Sequence, residues 1–207
     1  MTHTLYFATT NQAKLAQLRW IAGHLGSDVC IIAAAERFGE AVRYDEIGET
    51  ELEIARQGAL AVAVRIGVPV LAEDTGLYVD ALGGQPGVRA GHYLKQQGRQ
   101  DILDRLGGVS DRRAEIVSAV AYAAPGGDVS TWVHRVAGQV IDVERWTPGL
   151  PNWIAPTPDN PLGGGYNAIF VPVGETRTLA EIQPVEAVDW GYREPNFIAL
   201  LRKLGVA

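Results

Sequence analysis

The chain has 207 residues, 47% hydrophobic and 20% charged, with a formal net charge of −6 from 18 basic and 24 acidic side chains. That composition supports a folded core and argues against disorder. Without a basic run it also argues against a nucleic-acid polymer as partner, because a phosphate backbone is neutralised by clustered Lys and Arg; a small anionic ligand needs only a few focused cations.

Leu5-Tyr6-Phe7-Ala8 is predicted as a short buried strand. Asn11 can cap a following helix whose one face carries Leu15, Leu18, Ile21 and Leu25. Val29 to Ala33 reads as a second strand, and Cys30, the lone cysteine, as a buried core thiol that forms no internal disulfide. Leu52, Ala55, Ala59, Val62 and Ile66 mark another amphipathic helix, closed by Gly67 and Pro69. Val70-Leu71-Ala72 is a strand that runs into Glu73-Asp74-Thr75-Gly76. This alternation predicts an α/β sheet with parallel pairing. Ile116–Ala123 and Ser130–Ile141 flank Pro125-Gly126-Gly127-Asp128 as a hairpin. Trp146 to Gly165 is aperiodic and rich in proline and glycine, and a loop of that length is usually functional or mobile. Ala168–Val171 is a further strand and Pro195–Leu204 a closing helix. The N-terminus lacks a signal-peptide pattern, and no apolar run approaches the roughly 18 residues of a membrane span, so a cytoplasmic, membrane-free protein is expected.

Three segments carry chemistry. Thr9-Thr10-Asn11-Gln12-Ala13-Lys14 lies between a strand and a helix. Hydroxyls, an amide and free N–H groups at a helix start suit a phosphate, with Lys14 as a point charge; an ordinary Asn cap with a surface lysine suits the segment too. Glu49, Glu73 and Asp74 supply hard oxygen donors of the kind Mg²⁺ takes, with the last two projecting from a strand end. The alternative is a solvated acidic turn. Asp80-Ala81-Leu82-Gly83-Gly84-Gln85-Pro86-Gly87 is a dense turn that fixes backbone direction beside the acidic pair. The histidines His3, His24, His92 and His134 lack metal spacing.

The order Thr9-Thr10-Asn11…Lys14, Glu49-Thr50, Leu71-Ala72-Glu73-Asp74-Thr75-Gly76-Leu77 and Asp80 to Gly87 resembles the inosine triphosphate pyrophosphatase family. The resemblance continues through Arg113–Ala123, Gly138–Ile141, Gly165-Tyr166, Ile169–Pro172 and Thr178–Glu181, and covers nearly the whole chain. It implies a single domain over residues 1–207: an elongated mixed β-sheet with flanking helices, two lobes around a nucleotide-binding cleft, usually as a homodimer. It implies Mg²⁺-dependent hydrolysis of a nucleoside triphosphate between the α- and β-phosphates. Carried over, Thr9, Thr10, Asn11 and Lys14 hold the triphosphate; Glu49, Glu73 and Asp74 hold the metal; Asp74 activates the water; Thr75, Tyr166, Asn167 and Arg193 contact substrate.

Departures from the family's pattern fall in base recognition. Its Gly-Phe-Gly-Tyr-Asp-Pro stands here as Gly163-Gly164-Gly165-Tyr166-Asn167-Ala168, so Gly164 removes an aromatic ring and Asn167 replaces a carboxylate. Its Ser-His-Arg stands as Gly191-Tyr192-Arg193, a late lysine is replaced near Ala187, and a phosphate-facing lysine near Ala61. Arg145 to Gly163 is longer than the family's connection and contains Trp146 and Trp153. Altered base specificity is therefore expected, with Trp153 or Trp190 as a replacement stacking surface or as packing residues. The rival readings are a catalytically weak nucleotide-binding or sensing protein of the same fold, and an enzyme that cuts another phosphoanhydride.

Overall fold

Parallel pairing organises the N-terminal strands. In the computed structural model, which describes residues 3–207, β1 (Thr4–Phe7) pairs in parallel with β2 (Cys30–Ala33) and with β3 (Val70–Val79). Parallel neighbours need helical crossovers. Here α1 (Gln12–His24) joins β1 to β2, and α2 (Ala34–Phe38) and α3 (Glu51–Ile66) precede β3. Among the described residues seven strands form one sheet in the order β2-β1-β3-β5-β6-β7, with β4 (Gln85–Gly87) paired to β3. The predicted hairpin is β5 (Arg113–Ala123) and β6 (Val129–Val140), and β7 (Phe170–Pro172) runs antiparallel to β6. The mixed α/β architecture is the expected one.

The chain divides into two compact units. The first holds the chain through Asp74, Ser118–His134 and Arg193–Ala207; the second holds Thr75–Val117 and Arg135–Tyr192. In the first unit, α1 buries Leu15, Leu18 and Ile21 with Leu5 and Phe7 of β1 and with Phe197, Leu200 and Leu201 of α7 (Glu194–Lys203). Phe7 and Phe197 meet edge to face, centroids 6.0 Å apart at 79°. A second cluster sets Ala55, Ala59, Val62 and Ala63 of α3 against Ala8, Ala72, Ala119 and Ala121, small residues that let the helix approach closely. Gly67 ends α3 in the left-handed conformation, where a Cβ would be strained.

The second unit adds α4 (Ala90–Gln97), α5 (Gln100–Arg105) and α6 (Pro184–Trp190), none of them predicted, and buries Leu77, Ile102, Leu106, Ile116 and Phe170. Three expectations are corrected. β3 does not stop before the acidic pair but runs through it to Val79. Ala168 lies in a 3₁₀ turn, Asn167–Ile169, so the late strand begins only at Phe170. Cys30 is exposed, because β2 begins the strand order and Cys30 takes an outward position in its alternating pattern. No helix among the described residues is long and apolar enough to cross a membrane.

Candidate active site

The register of two parallel strands brings the first unit's polar residues together. Phe7 lies opposite Leu71, and Ala8 N donates to Leu71 O at 2.7 Å. The segment after β1 and the segment after Leu71 therefore leave the strand pair on the same side. On one is Thr9 to Lys14; on the other are Glu73 and Asp74.

Thr9 and Asn11 build the helix start. Thr9 Oγ1 accepts from Asn11 N at 3.1 Å, and Asn11 Oδ1 accepts from Ala13 N at 2.9 Å and Lys14 N at 3.4 Å. Asn11 is thus the N-cap, as predicted, and its carbonyl oxygen serves the helix. The first turn contains no acidic residue, so the helix dipole and Lys14 point positive charge at this end.

Lys14 reaches Glu73: Nζ lies 2.7 Å from Oε2 and donates to the Glu73 backbone carbonyl at 3.1 Å. The Glu73 side chain is fully buried. Its other oxygen receives Arg193 Nε at 3.1 Å and the Ser118 hydroxyl at 3.0 Å. Two cations therefore face one buried carboxylate. The network extends through Gln17, whose Oε1 accepts from Arg193 Nη1 at 3.4 Å and whose Nε2 donates to Glu194 Oε1 at 2.6 Å. Burial holds the Glu194 carboxyl above the usual range, with the Gln17 and backbone hydrogen bonds and the Arg193 charge opposing. Asn196 Nδ2 donates to Ser118 O at 2.9 Å. Sequence reading missed Gln17, Ser118, Glu194 and Asn196. Their signals were present: Gln17 is polar between Leu15 and Leu18, and Ser118 interrupts the apolar run from Ile116 to Ala123.

Glu49, Glu73 and Asp74 were expected to share a metal. Among the described residues no group of three or more His, Cys, Asp or Glu side chains is close enough to do so. Along β3 the Glu73 side chain is buried and Asp74 is half-buried. Glu49 sits just before the Thr50 cap of α3, where its N–H donates to Glu53 Oε2 at 2.9 Å. The donor set is nevertheless all carboxylate oxygen, the chemistry a hard divalent cation takes.

Thr75, Tyr166 and Asn167 belong to the second unit, apart from the residues above in that division. Tyr166 is buried and its hydroxyl donates to Ala90 O at 2.8 Å; burial raises the phenol's pKa. Asn167, also buried, donates through Nδ2 to Ile154 O at 3.0 Å. Gly164 has φ +70°, and a Cβ there would lie 2.1 Å from Ile154 O. Trp153 is 5% exposed, which makes it a packing residue rather than an open stacking face. The Trp190 ring lies against Gly174.

Comparison with known proteins agrees with this architecture. A dITP/XTP pyrophosphatase of Methanopyrus kandleri is 34% identical over 177 residues, covering 85% of this chain and 82% of that protein. One of Gloeobacter violaceus is 34% identical over 188 residues, covering 90% and 86%. The solved structure of the Staphylococcus aureus Ham1 protein superposes with a TM-score of 0.75 at 25% identity, covering 97% of each chain. The model of the Ham1 family matches residues 5–202, and the chain belongs to that family.

Proposed function

We propose that this chain is a nucleoside triphosphate pyrophosphatase that hydrolyses the α–β phosphoanhydride to a nucleoside monophosphate and pyrophosphate, with Mg²⁺ as cofactor and altered base specificity. The observation that carries the reading is the 2.7 Å contact between Lys14, in the first turn of α1, and the buried Glu73. It joins a positive helix start to an acidic strand, the two halves that phosphoryl hydrolysis needs. Relatives named dITP/XTP pyrophosphatases support the same activity.

Glu49, Glu73 and Asp74 would hold the cation, which when bound neutralises phosphate charge and lowers the pKa of water. The chain's own groups do the rest. The N–H groups at the start of α1 and the hydroxyls of Thr9 and Thr10 bind the phosphates, and Lys14 balances charge on the departing pyrophosphate. Asp74 takes a proton from the attacking water as its oxygen bonds to the α-phosphorus and the bridging P–O bond breaks. Arg193 orients Glu73. The resemblance also assigns Thr75, Tyr166 and Asn167 to substrate contact. The enzyme acts in the cytoplasm as a homodimer.

A panel of nucleoside triphosphates with Mg²⁺, scored by pyrophosphate release and product identity, tests the reading. Asp74→Asn lowers turnover by about a hundredfold or more, the scale of a lost general base. Binding without release of pyrophosphate from any nucleotide would favour the sensing alternative, and near-normal turnover of the variant removes Asp74 from the mechanism.

A further inference from the structure

Ser118 stands between Val117 and Ala119 in β5, the strand beside β3, and is fully buried. A buried hydroxyl needs hydrogen-bond partners. Here Oγ lies 3.0 Å from Glu73 Oε1 and 3.3 Å from Asn196 Nδ2, which also donates to the Ser118 backbone carbonyl at 2.9 Å. That carbonyl fixes which end of the Asn196 amide faces Ser118, because only the nitrogen end can donate to it. The hydroxyl therefore accepts from Asn196, and its single hydrogen is directed at Glu73. Asn196 is itself buried and follows Arg193 by three positions, a spacing that puts both on one side of the start of α7. The helix start thus serves Glu73 Oε1 twice, with a guanidinium directly and with a hydroxyl through Ser118.

The other carboxylate oxygen has a different kind of partner. Oε2 faces Lys14, which retains 16% exposure in the first turn of α1, where the proposed phosphates bind. To serve a phosphate, Lys14 must give up part of its hold on Glu73, and a buried carboxylate stripped of a cation is costly. The cost falls when the carboxylate keeps other donors. Arg193 is one such donor and Ser118 another. Ser118 carries no charge, has no exposed surface from which to reach an anion, and has its direction set by Asn196.

We propose that Ser118 is a positioning residue for substrate binding: its hydroxyl, aimed by Asn196, holds the Glu73 carboxylate while Lys14 turns from Glu73 to a phosphate. The proposal rests on the triphosphate reading above, so its test uses a probe that does not depend on turnover. Calorimetric binding of inorganic tripolyphosphate, with chelator and no divalent cation, is compared in wild type, Ser118→Ala, Glu73→Gln and the Ser118→Ala/Glu73→Gln double variant, each at a temperature where its melting curve shows it folded. Ser118→Ala weakens binding on the order of tenfold, the scale of one hydrogen bond to a charged group, because Glu73 then holds Lys14 harder. Ser118→Cys keeps the volume with a weaker donor and loses less, and it carries the test if Ser118→Ala does not fold. In Glu73→Gln the ion pair is gone, so adding Ser118→Ala changes affinity by less than about twofold. Binding by Ser118→Ala within about twofold of wild type overturns the proposal. So does an equal loss in both backgrounds, which marks a general loosening of the fold. Wild type that releases pyrophosphate from a nucleotide while either of those results holds keeps the hydrolase and loses this inference. The expected pattern in a protein that releases no pyrophosphate from any nucleotide leaves this inference standing and refutes the hydrolase.

Discussion

Replacing Lys14 by Met removes the cation nearest Glu73 while keeping most of the side chain's length. At the 2.7 Å separation the pair's Coulomb attraction is about 6 kcal/mol at an effective dielectric of ~20. That figure is gross. Lys14 retains 16% exposure, and Arg193 still faces the other carboxylate oxygen at 3.1 Å. The expected loss is therefore about 2–3 kcal/mol, below the roughly 3–5 kcal/mol of a fully orphaned buried charge. For a chain of this size that lowers the melting temperature by about 5–10 °C. Glu73→Gln alone leaves two cations facing a neutral amide and is also destabilising. The double variant Lys14→Met/Glu73→Gln is less harmed than the sum of the two, with a coupling of about 1–3 kcal/mol. Urea unfolding of the four proteins at pH 7 measures the cycle. Coupling below about 0.5 kcal/mol refutes the claim that this contact organises the site, because independent sites add within that margin.

Gly164→Ala loses about 3 kcal/mol in urea unfolding, since the new Cβ meets both a left-handed backbone and a carbonyl 2.1 Å away. Gly165→Ala, at φ +62° with nothing within 4 Å of the added carbon, loses only about 1 kcal/mol, the left-handed penalty alone; equal losses would refute the steric account. For Glu194 the folded-state pKa is raised by burial, so its protonated form favours the fold. That contribution is complete below the unfolded carboxyl range near ~4 and is lost as pH rises through the folded pKa. Glu194→Gln keeps an acceptor for Gln17 and does not titrate, so wild type loses stability relative to the variant as pH rises from about 4 to 7; parallel pH profiles would contradict the burial.

The helices and strands that position the site were legible where one local rule governed them. Asn11 announced α1 because a short amide satisfies exposed N–H groups, and Gly67 announced the end of α3 because it alone accepts the left-handed turn cheaply. The acidic pair was found by residue type, yet its setting was misread. Glu73-Asp74-Thr75-Gly76 looks like a turn by composition; in the sheet it is part of β3, which lies between β1 and β5, a tertiary setting that local propensity does not carry. Cys30 was misplaced for a related reason. An apolar run does not say which strand lies at the start of the sheet's order. Arg193 was legible only through resemblance, because its partner Glu73 lies 120 positions away.

Gly164 reads in the sequence as a deletion, an aromatic ring lost from a base-reading motif. The second unit gives it another cause. A Cβ at Gly163 would meet Ala155 O at 2.5 Å and Asn152 O at 2.9 Å, and one at Gly164 would meet Ile154 O at 2.1 Å. Gly164 N donates to Asn152 O at 2.7 Å, and Asn167 donates to Ile154 O. The segment from Asn152 to Ala155 thus lies in the volume that side chains at 163 and 164 would fill. Arg99 fastens the same region, donating to Gly165 O and Pro161 O at 2.7 Å each and pairing with Glu144 at 3.0 Å. The long connection and Gly164 are therefore one change rather than two. The longer backbone requires glycine at 164, and the amide at Asn167, unlike a carboxylate, can donate to the carbonyl that the connection brings. An aromatic residue restored at Gly164 alone would not rebuild a stacking surface, because the Ile154 carbonyl already stands in its place.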